Sequence, residues 1–135
     1  MLFSVTLPTR HTDTYSSTGF VHAGVRLAFT ELAYAEYERA AGIRKPDGVV
    51  AVEVRTRAEY LAPLAWQDGV VVEVATLAAT KRGFTQSCSL RSPRSDRLVA
   101  RIEHDWVWLD TTTGRSVPLD DTVQAQLVTP PNESS

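Results

Sequence analysis

Cysteine is nearly absent from this chain of 135 residues, where Cys88 stands alone. One cysteine cannot close an intramolecular disulfide, and it cannot supply the several thiolates of a structural zinc site. The three histidines, His11, His22 and His104, are scattered, and scattered histidines do not make a metal site. No apolar run approaches the ~18 residues of a membrane span. Residues 1–4 lack the charged start and long apolar stretch of a signal peptide, so none is expected. Neither sign of charge dominates: 14 Lys and Arg stand against 16 Asp and Glu, a formal net charge of −2. Nucleic-acid binding, which needs a basic domain or stripe, has no electrostatic case. What is present is globular, 43% hydrophobic and 22% charged. The length suits one domain that buries roughly two-thirds of its unfolded surface. A soluble cytoplasmic domain is expected, with no metal or cofactor and no membrane or nucleic-acid partner.

Two periodicities organise the chain. Residues 2–7 read as a short strand stopped by Pro8. A polar loop over residues 9–18 closes at Gly19. Residues 22–41, rich in Ala, Leu and Glu, predict a helix roughly 30 Å long. Gly42 suits its C-terminal cap and Pro46 forbids continuation. Its apolar residues, among them Val25, Leu27, Phe29, Leu32, Tyr34 and Tyr37, spread around most of the circumference. Such a helix is expected to be buried.

Strands follow. Residues 49–60 alternate, with Val50, Val52 and Val54 on one side and Ala51, Glu53 and Arg55 on the other. Pro63 and the turn at residues 67–69 separate this run from residues 70–80, 84–90 and 98–109, and a hairpin at residues 112–115 leads to Val117. Short turns between consecutive strands predict an antiparallel meander. One domain over residues 1–128 is expected, with residues 129–135 a disordered tail. The result is an α+β fold, an antiparallel sheet wrapped around one long central helix. Open sheet edges predict a homo-oligomer, a homodimer with a continuous sheet or a homotetramer.

Four stretches carry a family resemblance: Gly19-Phe20-Val21-His22-Ala23; Phe29-Thr30-Glu31 with residues 37–43; residues 58–64 followed by Asp68; and residues 80–85. Their order and spacing resemble the hotdog-fold thioesterases, specifically the 4-hydroxybenzoyl-CoA thioesterase group and its bacterial acyl-CoA relatives, across roughly residues 5–119. The resemblance implies the hotdog fold and hydrolysis of an acyl-CoA, aromatic or medium-chain, to free acid and CoA.

It also implies a site. One subgroup carries Asp, and another Asn, three residues before the loop glycine, where this chain has Ser16. A serine cannot replace a carboxylate base, and a shift of one to three residues brings Asp13 into play. In a second subgroup the acid lies nine residues after the histidine that opens the helix; from His22 that position is Glu31. The amide that polarises the thioester carbonyl falls at Ala23, where free helix-start N–H groups are oxyanion donors. Glu31 lies in a segment that reads as buried, which raises a carboxyl pKa unless it is paired. His22 either orients the carbonyl or bonds the backbone. Lys81, Arg82, Arg91, Arg94 and Arg97 lie around two turns and are candidates for holding the CoA phosphates. Trp106 and Trp108 share a strand face and, with Trp66, read as core or interface. Two alternatives stand beside the hydrolase: a catalytically silent hotdog protein that binds an acyl thioester or a protein partner, which Ser16 favours, and an acyl-thioester dehydratase or hydratase.

Overall fold

The β-branched stretches pair into one antiparallel sheet. A computed structural model describes residues 3–15 and 18–131. The strands are β1 (Phe3–Leu7), β2 (Val49–Tyr60), β3 (Val70–Thr80), β4 (Gly83–Arg91), β5 (Leu98–Asp110) and β6 (Ser116–Val117). Their spatial order is β1-β3-β4-β5-β2, with β6 paired to β5. The meander runs through β3, β4 and β5, as their short connections dictate. Gly83 is fixed by a close approach, because a Cβ there would meet the Trp106 carbonyl oxygen at 2.3 Å.

Strand β2 breaks the simple meander. It pairs with β5, Ala51 opposite Trp108 and Ala58 opposite Ile102, and forms the sheet edge far from β3. The link from β2 to β3 contains Pro63 and the 3-10 turn Trp66–Asp68. It is too long and irregular for a tight hairpin and carries the chain across the end of the sheet.

The alternation along β2 also changes midway. Glu53 lies opposite Trp106 and Arg55 opposite Asp105, so Val54 is the extra residue of a bulge. Arg55 therefore does not share the face of Glu53. It pairs with Asp105 at 3.9 Å, while Glu53 and Thr56 both turn to His104. One bulged residue reverses the parity that the sequence alone predicts.

Helix α1 (Ala23–Ala41) lies against the inner face of the sheet, capped by the His22 side chain and by Gly42 in the left-handed conformation at φ 71°. Arg26, Phe29, Thr30, Ala33, Tyr34 and Tyr37 are buried, at the three- and four-residue spacing of one helical face. Tyr34 stacks on Trp106 at 4.6 Å and Tyr37 meets Phe3 edge-on at 5.4 Å. Trp106 and Trp108 belong to this core. The expected all-round burial does not occur in a single chain: Ala28, Glu31, Leu32 and Ala35 are exposed, Leu32 by 53%. A single sheet covers one side of a cylinder, and the apolar residues of the other side stay bare.

A second helix, α2 (Asp121–Val128), is absent from the sequence-based expectation. The Asp120 carboxylate accepts from the Val123 N–H at 2.8 Å, and Val123 and Leu127 are buried. The Tyr37 hydroxyl donates to the Leu127 carbonyl at 2.5 Å, which fastens α2 to α1. Of the expected tail, residues 132–135 lie outside the described residues. No helix among the described residues is long and apolar enough to cross a membrane.

Candidate active site

The start of α1 leaves one backbone amide nearly free. The His22 Nδ1 accepts from the Gly24 N–H at 3.1 Å, and the His22 carbonyl accepts from Val25 and Arg26. A Cβ on Gly24 would crowd that imidazole at 3.1 Å, so the missing side chain permits the cap. Among the described residues, the Ala23 N–H has only the Tyr15 phenol oxygen, at 3.4 Å, beyond the usual range for such a bond. Among the first four amides of α1, the one at Ala23 is the one available to an incoming oxygen.

Arg26 anchors this end of the helix. Its guanidinium donates to the carbonyls of Ala62 at 2.8 Å, Val99 at 3.1 Å and Val21 at 3.3 Å, and lies 5.5 Å from the centre of the Tyr60 ring. It has no carboxylate partner among the described residues, and burial holds its pKa below the usual arginine value. The Tyr60 hydroxyl donates to the Ala23 carbonyl at 3.4 Å.

Two turns along the helix stands a second constellation. Glu31 of α1 and Glu53 of β2 line the same groove, and the Glu53 carboxyl is near enough to raise the Glu31 pKa. Glu53 Oε2 lies 3.1 Å from His104 Nδ1, as does Thr56 Oγ1 at 2.9 Å, while His104 Nε2 lies 2.6 Å from Thr30 Oγ1. His104 is 1% exposed. The Thr30 hydroxyl donates to the Leu27 carbonyl at 2.6 Å, so its oxygen accepts and His104 presents Nε2–H. Glu31 is held above the ordinary carboxyl range, chiefly by the hydrogen bond with Glu53, then by burial and the Glu53 charge, with the His104 charge opposing. Glu31 is exposed in the single chain, so a carboxyl neighbour does more here than the burial anticipated from sequence. Burial lowers the His104 pKa, and the Glu31 charge opposes that shift.

A groove of 530 Å³ opens between α1 and β2, with Glu31 and Glu53 on its wall beside Tyr34, Ala35 and Trp106. Beyond them Glu38 is tied to Lys45 at 2.7 Å and to the Tyr34 hydroxyl at 2.6 Å.

The other sequence candidates are dispersed. Asp13 turns back on its own loop: Oδ2 accepts from the Arg10 N–H at 2.8 Å, and Oδ1 lies 3.9 Å from the Arg10 guanidinium. Ser16 lies outside the described residues. The five loop cations divide between opposite ends of β4, whose nine residues span roughly 27 Å. Arg91 pairs with Glu73 at 2.9 Å and Arg94 with Asp68 at 3.2 Å, with Arg97 in the same loop. That loop lies at the end where α1 begins. Lys81 and Arg82 are exposed at the far end, without a carboxylate partner among the described residues. No group of three or more His, Cys, Asp or Glu side chains suited to a metal ion occurs among the described residues.

Sequence reasoning missed Arg26, Tyr15, Tyr60, Glu53, Thr30, Thr56 and His104. For His104 a signal existed. It shares the parity of Trp106 and Trp108 and so had to face the core, where a polar group needs partners.

The chain has similar solved structures. One is Slr0204, a 1,4-dihydroxy-2-naphthoyl-CoA thioesterase from Synechocystis, with a TM-score of 0.82 and 17% identity over 96% of this chain and 97% of that one. Another is the DHNA-CoA thioesterase from Staphylococcus aureus, with a TM-score of 0.80 and 14% identity over 87% and 80%. At such identities the likeness establishes the shared hotdog fold. No curated protein matches the sequence. The family model of the thioesterase-like superfamily matches residues 15–127, from the loop before α1 to the end of α2, and to that superfamily this chain belongs.

Proposed function

We propose that the protein is a cytoplasmic, homo-oligomeric acyl-CoA thioesterase that hydrolyses an aromatic or medium-chain acyl-CoA. The observation that carries this reading is the near-free Ala23 amide at the start of a helix that also bears the Glu31 carboxyl. The amide N–H and the positive helix end stabilise the oxyanion that develops on the thioester carbonyl. Glu31 either attacks the carbonyl carbon directly, expelling the CoA thiolate and leaving a mixed anhydride that water cleaves to the free acid, or takes a proton from an attacking water and passes it to the departing sulfur. CoA leaves as the thiol. His22 caps the helix and so aims the Ala23 amide, and Asp13 shapes the loop that precedes it.

The two groups serve one thioester only in an assembly. Ala23 and Glu31 are about 12 Å apart along one helix, farther than one carbonyl can span. Two α1 helices packed antiparallel about a two-fold axis bring Ala23 of one copy toward Glu31 of the other. The bare face of Ala28, Leu32 and Ala35 and the edge strand β2 suit that packing. The acyl group then occupies the groove beside Trp106. Arg91 and Arg94 serve the CoA phosphates at the end where α1 begins, and Lys81 and Arg82 are the candidates at the far end.

The test is thiol release from a panel of aliphatic and aromatic acyl-CoAs, with Glu31→Gln and Asp13→Asn beside the native protein. Turnover lost in Glu31→Gln and kept in Asp13→Asn is the expected result. Loss in Asp13→Asn alone moves the carboxylate role to Asp13. No release from any substrate by folded native protein overturns the thioesterase reading.

A further inference from the structure

We infer that Glu53 and His104 form a proton-holding pair behind Glu31, positioning residues that set when Glu31 is a free carboxylate. This deepens the thioesterase reading and rests on Glu31 acting in it. Hydrogen-bond accounting is the first support. A buried imidazole needs a partner at each nitrogen, and Thr30 and Thr56 already supply them at 2.6 and 2.9 Å. Glu53 at 3.1 Å is surplus to that need, and placing its carboxyl against that of Glu31 costs stability. The Val54 bulge is the second support. It lets Glu53 and Thr56, three residues apart, reach the same nitrogen, and bulges commonly re-aim side chains beside active sites.

The proton count fits. With one proton on the Glu31 and Glu53 carboxyls together, His104 is neutral and its Nδ1 accepts from Thr56. With that proton moved to Nδ1, the imidazolium donates to Glu53 Oε2 and both carboxylates are ionised. The net charge is −1 in both forms, so Glu31 becomes a free carboxylate without releasing a proton to solvent. The other charged groups on the groove do not intrude: Glu38 of α1 is held by Lys45 and by the Tyr34 hydroxyl, and β5 contributes the uncharged Trp106 beside His104.

The test is an NMR titration of the Glu31 carboxyl carbon and the His104 ring nitrogens, paired with the pH profile of thiol release. In Glu53→Gln the Glu31 midpoint moves down; in His104→Asn it moves up. The acid limb of the rate profile follows in each case. A change in the same direction in both variants, or in neither, overturns the inference. If His104→Asn does not fold, Glu31→Gln carries the test: loss of the Glu31 charge must lower the His104 midpoint, and an unmoved midpoint overturns the pairing. The titrations need no substrate. Opposed shifts without hydrolysis would leave the proton-holding pair standing and sink the thioesterase reading; hydrolysis that depends on Glu31 without those shifts would do the reverse.

Discussion

The Thr30 hydroxyl of α1 stands 2.6 Å from the Nε2 of His104 on β5, one residue before Glu31 in the chain. This bond fixes the rotation of the helix over the sheet at the point where Glu31 must meet Glu53. Thr30→Val keeps the shape but removes the oxygen that accepts the buried Nε2–H. An unsatisfied buried donor costs about 1–3 kcal/mol, read as a lower urea midpoint with an unchanged slope. Thr30→Ser, which restores the oxygen, recovers most of that loss.

The pH dependence of stability has a definite sign. Glu31 binds its proton more tightly in the folded chain than at its ordinary value of 4.5. Its contribution to stability is therefore fully present below pH 4.5 and is lost as pH rises through the raised folded value. Glu31→Gln has no such proton to lose. Its thermal midpoint is expected to exceed the native one at pH 8, and the difference to vanish or reverse at pH 4. The same variant is expected to lose about 100-fold or more in turnover. Greater stability with less activity is the signature of a group held at a cost for chemistry.

Arg26, buried at the start of α1, is expected to matter chiefly for folding. Its three carbonyl partners come from the end of the loop before α1, the segment after β2, and the start of β5. Arg26→Met leaves those carbonyls without their donor and is expected to lower stability by about 2 kcal/mol, measured by urea unfolding. Arg26→Lys keeps the charge but lacks the planar fork, and is expected to recover less than half.

Much of the fold was legible because its signals are local. The long helix announced itself by composition and by Gly42, and the strands from residue 70 onward by alternation and tight turns. Two features were not. The pairing of β2 with β5 depends on a nine-residue crossover whose path is decided by the whole sheet. The Val54 bulge is a single unpaired residue with no mark in an alternating run, and it decides which side chains face Glu31. For the site, the resemblance pointed to Ala23 by its distance from the Ser16 position and to Glu31 by its spacing from His22. Glu53 and Thr56 were hidden because their convergence on His104 joins residues some 50 positions apart. Helix α2 carried a readable signal in Asp120 ahead of Val123 and Leu127, but eight residues make a faint pattern.

The lone cysteine is expected to be inert. Cys88 is 1% exposed, and burial pushes its thiol up to about 12. At pH 8 the thiolate is scarce and the sulfur is screened. A thiol-reactive dye is expected to label native protein at the rate of unfolding and denatured protein within seconds. Fast labelling of the native protein would contradict the burial of the β4 face.

Assembly is the remaining expectation, and two bare surfaces converge on it. The outer face of α1 shows Leu32 53% exposed, and edge strand β2 leaves Val50 39% and Val54 60% exposed. Unpaired strand edges and apolar helix faces are rarely left to solvent. Because Ala23 and Glu31 of one chain are too far apart to share a thioester, assembly and turnover are expected to fail together. Leu32→Lys puts a charge at the centre of the bare helix face and is expected to weaken self-association at least 10-fold in sedimentation, with turnover falling in parallel. Leu77→Lys serves as the control, since Leu77 is as exposed, at 57%, but lies on β3 away from both surfaces. It is expected to leave both measurements unchanged. A Leu32→Lys protein that sediments as a monomer yet hydrolyses acyl-CoA at the native rate would place both reacting groups within one chain and undo the two-copy site.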